Sequence, residues 1–319
     1  MKLNVIALVF LLLAGGCATR SVQSPDKAKA VADTPVSVEA VKAYEAGNKQ
    51  ESLDLYRALV AQEPEHSVYL NNLGVLLLES GQINEALDLF EKASLLVPNN
   101  TDYLVNIGSA QLKAGSLEEA MSFFDRVLQL SPGDARAYYG KGIGYMAMKE
   151  SEIALGLFYR AATLNPDKPE YVFMRAYASQ LNSLWEDAIK GYTKYLSLGK
   201  VRQKANALSN RALCRFQVKD FDMGMDDLNR ALEINDTSSI FYYNKAQGYQ
   251  MRHDYEHAVK DYTRAIARKA GFPEAYINRG ELNYILGNEV KGCSDLKRAC
   301  DLGFCGRLEK YESSGKCEN

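Results

Sequence analysis

Apolar residues in this chain come in paired runs. Leu70, Leu73 and Leu77 recur at intervals of three and four, and beyond Gly81 so do Ala86, Phe90 and Ala93. Such intervals put side chains on one face of an α-helix, so each run predicts an amphipathic helix facing a neighbour. Gly81 and Gly115 suit a helix end that needs a positive φ, and Pro98, Pro132 and Pro166 then stop the second helix of each pair.

The pair recurs. Leu70 to Pro98 aligns with Leu104 to Pro132 and Tyr138 to Pro166, an offset of 34 residues. Gly74, Gly108, Gly142, Ala176, Ala212, Ala246 and Gly280 share one place; Ala93, Val127, Ala161, Tyr195, Ala231, Ala265 and Ala299 share another. Repeats begin at Ser67, Thr101, Ala135, Pro169, Ala205, Ser239 and Pro273, after a weaker copy from Asp33 to His66. The junction around Lys200 carries two extra residues, and Lys200, Asp236 and Ala270 then replace the closing proline. The small residues at Gly74 and Ala93 let helices approach, and Phe90 fills the space beside them.

Leu-Gly followed by Ala, an aromatic, Ala and Pro at fixed offsets resembles the tetratricopeptide repeat. The resemblance implies an all-α fold, a right-handed superhelical solenoid of seven to eight helix-turn-helix repeats over residues 38–306. Stability is then a sum of repeat and interface contributions. It also implies a concave groove, lined by the first helices, that binds other proteins. Two departures read as local loosening. Lys141, Arg175, Arg211, Lys245 and Arg279 replace the usual Leu, and Gly224 and Gly292 replace the usual Ala.

Carried over by register, the sixth place of the repeat puts Asn72, Asn106, Asn210, Asn244 and Asn278 in the groove, interrupted by Gly140 and Met174. An amide both donates and accepts, so such a ladder suits the backbone of an extended partner. Asn also suits packing of the helix pair. Where the ladder breaks, Tyr139, Ile143 and Met146 neighbour Phe173, Met174 and Tyr177 as expected apolar anchors. Curvature of the stack would instead bury some of them. On the anchor reading, truncating Tyr139 and Tyr177 weakens partner capture without unfolding. The family's clamp for acidic C-terminal tails is matched only in part by Asn71, Val75, Asn106, Arg136 and Gly140.

The N-terminus departs from the repeat. Lys2 precedes an apolar run from Val5 to Leu13, too short to span a bilayer and of the form of a signal peptide, residues 1–16. Leu13-Ala14-Gly15-Gly16-Cys17 resembles a bacterial lipobox, which implies lipidation at Cys17. Ala18 after it implies the outer membrane, with the chain facing the periplasm and the lipid as its only anchor. Residues 17–37, small, polar and with two prolines, read as a tether.

A formal charge of −2 carries no footprint for nucleic acid or an anionic membrane surface. His253-Asp254-Tyr255-Glu256-His257 matches the H-x-x-E-H zinc-peptidase pattern. It falls across the turn between two helices, where helical spacing of the imidazoles is lost. No phosphate-binding Gly loop or G-x-S-x-G elbow occurs. No enzyme activity, metal, cofactor or small-molecule substrate is therefore expected.

Cys293, Cys300, Cys305 and Cys317 cluster at the C-terminus without a C-x-x-C. In an oxidising compartment disulfides are expected. Cys293 and Cys300 lie seven apart on one helix, roughly 10 Å along its axis, beyond disulfide reach. Two connectivities remain: Cys293–Cys305 with Cys300–Cys317, or Cys293–Cys317 with Cys300–Cys305. Both staple residues 307–319 as a cap over the last repeat, and Cys214 is left as a free thiol. The expected function is a non-catalytic scaffold for a periplasmic or outer-membrane protein, in an architecture like that of pilotins and murein-hydrolase adaptors. Assembly of an envelope machine, a pilus or secretion system, is the expected setting; the alternatives are an adaptor that docks a peptidoglycan hydrolase and a direct murein-binding module.

Overall fold

A computed structural model describes residues 34–199 and 201–317; the predicted signal peptide, Cys17 and Lys200 lie outside them. Among the described residues there are 17 helices and no strand. Sixteen form eight antiparallel pairs, from Pro35–Glu45 with Lys49–Gln62 to Pro273–Ile285 with Glu289–Asp301. Gly306–Glu312 follows as a short seventeenth. The predicted tether is three residues too long: Thr34 caps a helix that starts at Pro35, where the missing N–H costs nothing.

The pairs fall into two compact units, residues 34–178 and 179–317, with the boundary inside helix Pro169–Leu181. Their local grammar is constant. Asn100 and Asp134 cap first helices by accepting backbone N–H bonds at 2.9 Å from Asp102 and Arg136. Second helices Ile83–Leu96, Leu117–Leu130 and Ser151–Leu164 each end two residues before Pro98, Pro132 or Pro166. One turn place is left-handed in every pair. Gly47, Gly81, Gly115 and Gly287 occupy it, as do Lys149, Ser183, Lys219 and His253 with φ of 59–67°.

In the first unit Phe90, Phe124 and Phe158 are wholly buried. Each ring lies against a glycine of its own repeat, where an added Cβ would come within 2.7, 2.9 and 2.5 Å at Gly74, Gly108 and Gly142. Gly140, which interrupts the asparagine series, makes room for the far side of Phe124; a Cβ there would meet the ring at 2.3 Å. The sequence thus trades an amide for ring volume.

The departures read as loosening are tight contacts in the second unit. Asp227, 0% exposed, accepts two bonds from Arg211 at 2.8 and 2.6 Å and one from Arg215 at 2.7 Å. Arg279 grips Asp295 in the same bidentate way at 2.8 and 2.7 Å. Both arginines also donate to a threonine of the preceding repeat, Thr193 or Thr263. Planar guanidinium and carboxylate match as a fork, so a cation at the place of Leu bridges adjacent repeats. Gly224 and Gly248 accommodate Phe216, which would lie 2.4 and 2.3 Å from their added Cβ atoms. Gly280 and Gly292 let the last two long helices cross backbone to backbone, each Cβ being blocked by the other's carbonyl at 2.9 and 2.8 Å.

Of the two cysteine connectivities, the structure contains Cys293–Cys317 and Cys300–Cys305, with Cα atoms 5.5 and 4.0 Å apart. They fasten the cap over Leu296, together with buried Leu308 and half-buried Tyr311. Arg307 adds an ion pair to Glu281 at 3.1 Å, and Lys316 sits over the rings of Tyr284 and Tyr311. Cys214 is a buried free thiol whose pKa burial pushes up to about 12.

Candidate functional site

The candidate site is the inner face of the first helices, and the two units differ there. In the first unit the expected apolar anchors are core residues. Tyr139 (5%), Ile143, Met146, Phe173, Met174 and Tyr177 are all buried. Tyr139 is wedged between Phe158 and Tyr171, with ring centroids 5.7 and 4.9 Å away. Burial raises the Tyr177 hydroxyl to about 12. These side chains are not open anchors; truncating Tyr139 and Tyr177 removes packing, so the expectation of capture lost without unfolding is corrected.

The asparagine ladder is also turned inward. Asn72, 1% exposed, donates to the Tyr56 hydroxyl at 2.9 Å. Asn106 donates to Asn71 at 2.7 Å, and Asn71 to Asn72. In the second unit buried Asn244 donates to Ser209 at 2.9 Å. Asn278 donates to Tyr243 and Tyr262 at 3.0 and 3.1 Å. The Tyr262 hydroxyl in turn donates to Gln250 at 2.7 Å. Buried and half-buried amides and hydroxyls bond to one another here, with only the Asn244 Oδ1 among them buried without a partner, so four of the five asparagines join adjacent repeats, as packing of the helix pairs had suggested. Only Asn210 remains half-exposed without such a bond to name.

The incomplete acidic-tail clamp is committed elsewhere. Arg136 is bound by Asp134 at 2.6 Å and by Asp102. Of the histidines in H-x-x-E-H, His253 sits in the turn with φ 61° and its Nδ1 2.8 Å from the Tyr255 hydroxyl. His257 is 2.8 Å from Asp254. The two imidazoles thus serve separate local contacts.

The two units differ most plainly at one place of the repeat. At the ninth place of the repeat, Leu213, Gln247 and Glu281 are half-exposed, whereas Val75, Ser109, Ile143 and Tyr177 at the same place are buried. Asn206 and Gln217 are exposed on helix Lys204–Gln217. Gln247 lies 3.5 Å from the Tyr243 hydroxyl and Glu281 pairs with Arg307, so the open amides there are Asn206, Asn210 and Gln217. The switch at one register place from Val75, Ile143 and Tyr177 to Gln247 and Glu281 was the signal available in sequence.

Known proteins agree with this fold. The tetratricopeptide-repeat family profile matches residues 38–94 and 72–135. Human serine/threonine-protein phosphatase 5 is 29% identical over 85 residues, 27% of this chain, and the match spans only 17% of the phosphatase. Small glutamine-rich tetratricopeptide repeat-containing protein 2 of Saccharomyces cerevisiae is 24% identical over 37% of this chain and 35% of its own length. Among solved structures, the APC/C hetero-tetramer Cut9-Hcn1 superposes with a TM-score of 0.62, 20% identity, 77% of this chain and 48% of the other. PilF of Pseudomonas aeruginosa gives 0.57 at 18% identity, over 68% of this chain and 94% of its own. YrrB, described as a TPR protein with an unusual peptide-binding site, gives 0.53 at 19% identity, over 58% and 95%. The chain carries tetratricopeptide repeats over the matched residues and has the fold of a tetratricopeptide-repeat solenoid.

Proposed function

We propose that this chain is a non-catalytic scaffold anchored to the outer membrane through a lipid on Cys17, and that it holds an extended segment of a periplasmic protein. Assembly of an envelope machine such as a pilus or secretion system is the setting. The carrying observation is the half-exposed ninth place of the repeat within residues 204–284, at which the first unit's Val75, Ser109, Ile143 and Tyr177 are buried. The peptide-binding site named for YrrB and the structural likeness to PilF support a protein ligand on such a stack. Two disulfides in the cap favour an oxidising compartment, in keeping with the expected leader of residues 1–16 before Cys17.

A photo-crosslinking residue at Leu213 or Gln247, in cells making the full chain, tests the partner. The expected result is one discrete adduct with an envelope protein, lost with Asn206→Arg, an exposed residue of the same helix, at unchanged melting temperature. No adduct at either site would sink the inner-face reading. Labelled palmitate must enter the wild type and not Cys17→Ala. Retention on purified sacculi without protein would favour the murein-binding alternative.

A further inference from the structure

The closing proline of the early repeats is missing from Lys200 onward, and one of its replacements changes what the turn can do. Before Pro169 the chain reads Asn165-Pro166-Asp167; the same places before Ser239 hold Asn235-Asp236-Thr237. Asparagine, any residue but proline, then serine or threonine is the acceptor triplet for an N-linked glycan. Pro166 forbids that triplet at Asn165, whereas Asp236 permits it and Thr237 completes it. The sequence contains one other match, Asn99-Asn100-Thr101.

The structure separates the two. Asn235, Asp236 and Thr237 are all exposed and lie between helices Phe221–Ile234 and Ser239–Met251. Asn235 has an extended backbone, φ −149° and ψ 93°. Its Oδ1 accepts from the Thr237 N–H at 3.1 Å and from the Thr237 hydroxyl at 2.7 Å. Nδ2, the atom that carries a glycan, has no partner among the described residues, so no bond of its own must break. At the other match Asn100 caps a helix by accepting from Asp102 and Tyr103 at 2.9 and 3.4 Å. Thr101 is the first residue of that helix and half-buried, and Asn99 accepts from Arg126 at 3.5 Å. A transferase must draw the triplet into its own cleft, which there would uncap a helix.

We propose that Asn235 is an acceptor for an N-linked glycan, delivered from a lipid diphosphate-linked oligosaccharide. Nδ2 attacks the anomeric carbon, and a nitrogen–carbon bond forms as the bond from that carbon to the diphosphate breaks. The lipid diphosphate leaves, and the Nδ2 proton passes to a base of the transferase. Glu233, exposed two residues before Asn235, offers that enzyme a carboxylate to read beside the triplet. A glycan is bulky and hydrophilic, and an exposed turn between repeats has room for one. Transfer in the cell rests on export as proposed above, because the chain must meet the lipid-linked donor at a membrane.

Purified full chain, incubated with membranes that hold an oligosaccharyl transferase and its lipid-linked oligosaccharide, tests acceptance without requiring export. The expected result is a mass gain of one glycan, located on the tryptic peptide 231–245. Thr237→Val abolishes the gain, as does Asp236→Pro, which restores the residue of the early repeats. Asn99→Gln leaves it unchanged, and Glu233→Gln lowers it. No gain on the folded chain under conditions that modify the synthetic peptide 231–245 would overturn the proposal, as would a gain that survives Thr237→Val. A chain that leaves such cells bare, yet accepts the glycan once purified, counts against export and upholds the acceptor.

Discussion

In residues 34–178 the aromatic place of the second helices holds Tyr56, Phe90, Phe124 and Phe158; in residues 179–317 it holds Tyr192, Leu228, Tyr262 and Leu296. Both units press rings into glycine-made recesses and join repeats through amides. The second adds buried arginine–aspartate forks where the aromatic place holds leucine. Both solutions hold the same helix pairs, but they fail differently. A ring keeps most of its packing when one neighbour changes, whereas a buried charge depends on one particular partner.

The largest expected effects set the two chemistries side by side. Asp227→Ala takes the buried carboxylate from Arg211 and leaves Arg215 only the more distant Asp220 at 3.8 Å, and costs about 3–5 kcal/mol. Phe124→Ala costs a similar amount, about 3–5 kcal/mol, through an apolar cavity. Replacing Arg211, Arg215 and Asp227 together by Met, Met and Leu recovers most of the first loss. Urea unfolding of the four proteins measures this, and a triple variant no better than Asp227→Ala would break the distinction.

Removing the Cys293–Cys317 link by a double Ser substitution costs about 3 kcal/mol in the chain-entropy model. The loss should appear as early hydrogen exchange confined to residues 289–317, with the first unit unaffected. Tyr262→Phe deletes the hydroxyl that joins Asn278 to Gln250 and costs roughly 1–3 kcal/mol. A smaller loss would mean that the amides re-pair with each other.

Alkaline pH reaches both units. Burial raises the Tyr177 and Tyr243 hydroxyls to about 12, so each is neutral in the folded chain at a pH where the unfolded chain ionises. Their contribution is fully present below about pH 10, the unfolded value, and is lost as pH rises towards 12. A melting temperature that stays flat through that window would contradict the burial. Last come the turns: Lys149→Gly in the first unit and Lys219→Gly in the second each relieve a left-handed non-glycine residue, a gain of about 1 kcal/mol or less. Equal gains are expected, since this grammar is common to both units.

Register, helix pairs, turn sites and the barred Cys293–Cys300 pairing were legible because they depend on spacing along one or two helices. Which way Asn72, Asn278 or Tyr139 faces depends on the neighbouring repeat, and spacing within one repeat does not report it. The missed signal was an offset. Asn72 lies 16 residues after Tyr56, Asn278 the same distance after Tyr262, and Asp227 and Asp295 the same distance after Arg211 and Arg279. Reading polar residues in pairs at that separation would have turned the arginines at 211 and 279 into locks and withdrawn Asn72 and Asn278 from the groove.

The cap also orders events in time. Contacts that hold each repeat reach back no further than the repeat before it, so structure can accumulate as the chain is delivered, without waiting for distant segments. The last repeat is the exception. Cys293 waits for Cys317, which arrives only after all eight helix pairs, so oxidation of that pair is a completion mark that a truncated or stalled chain never acquires.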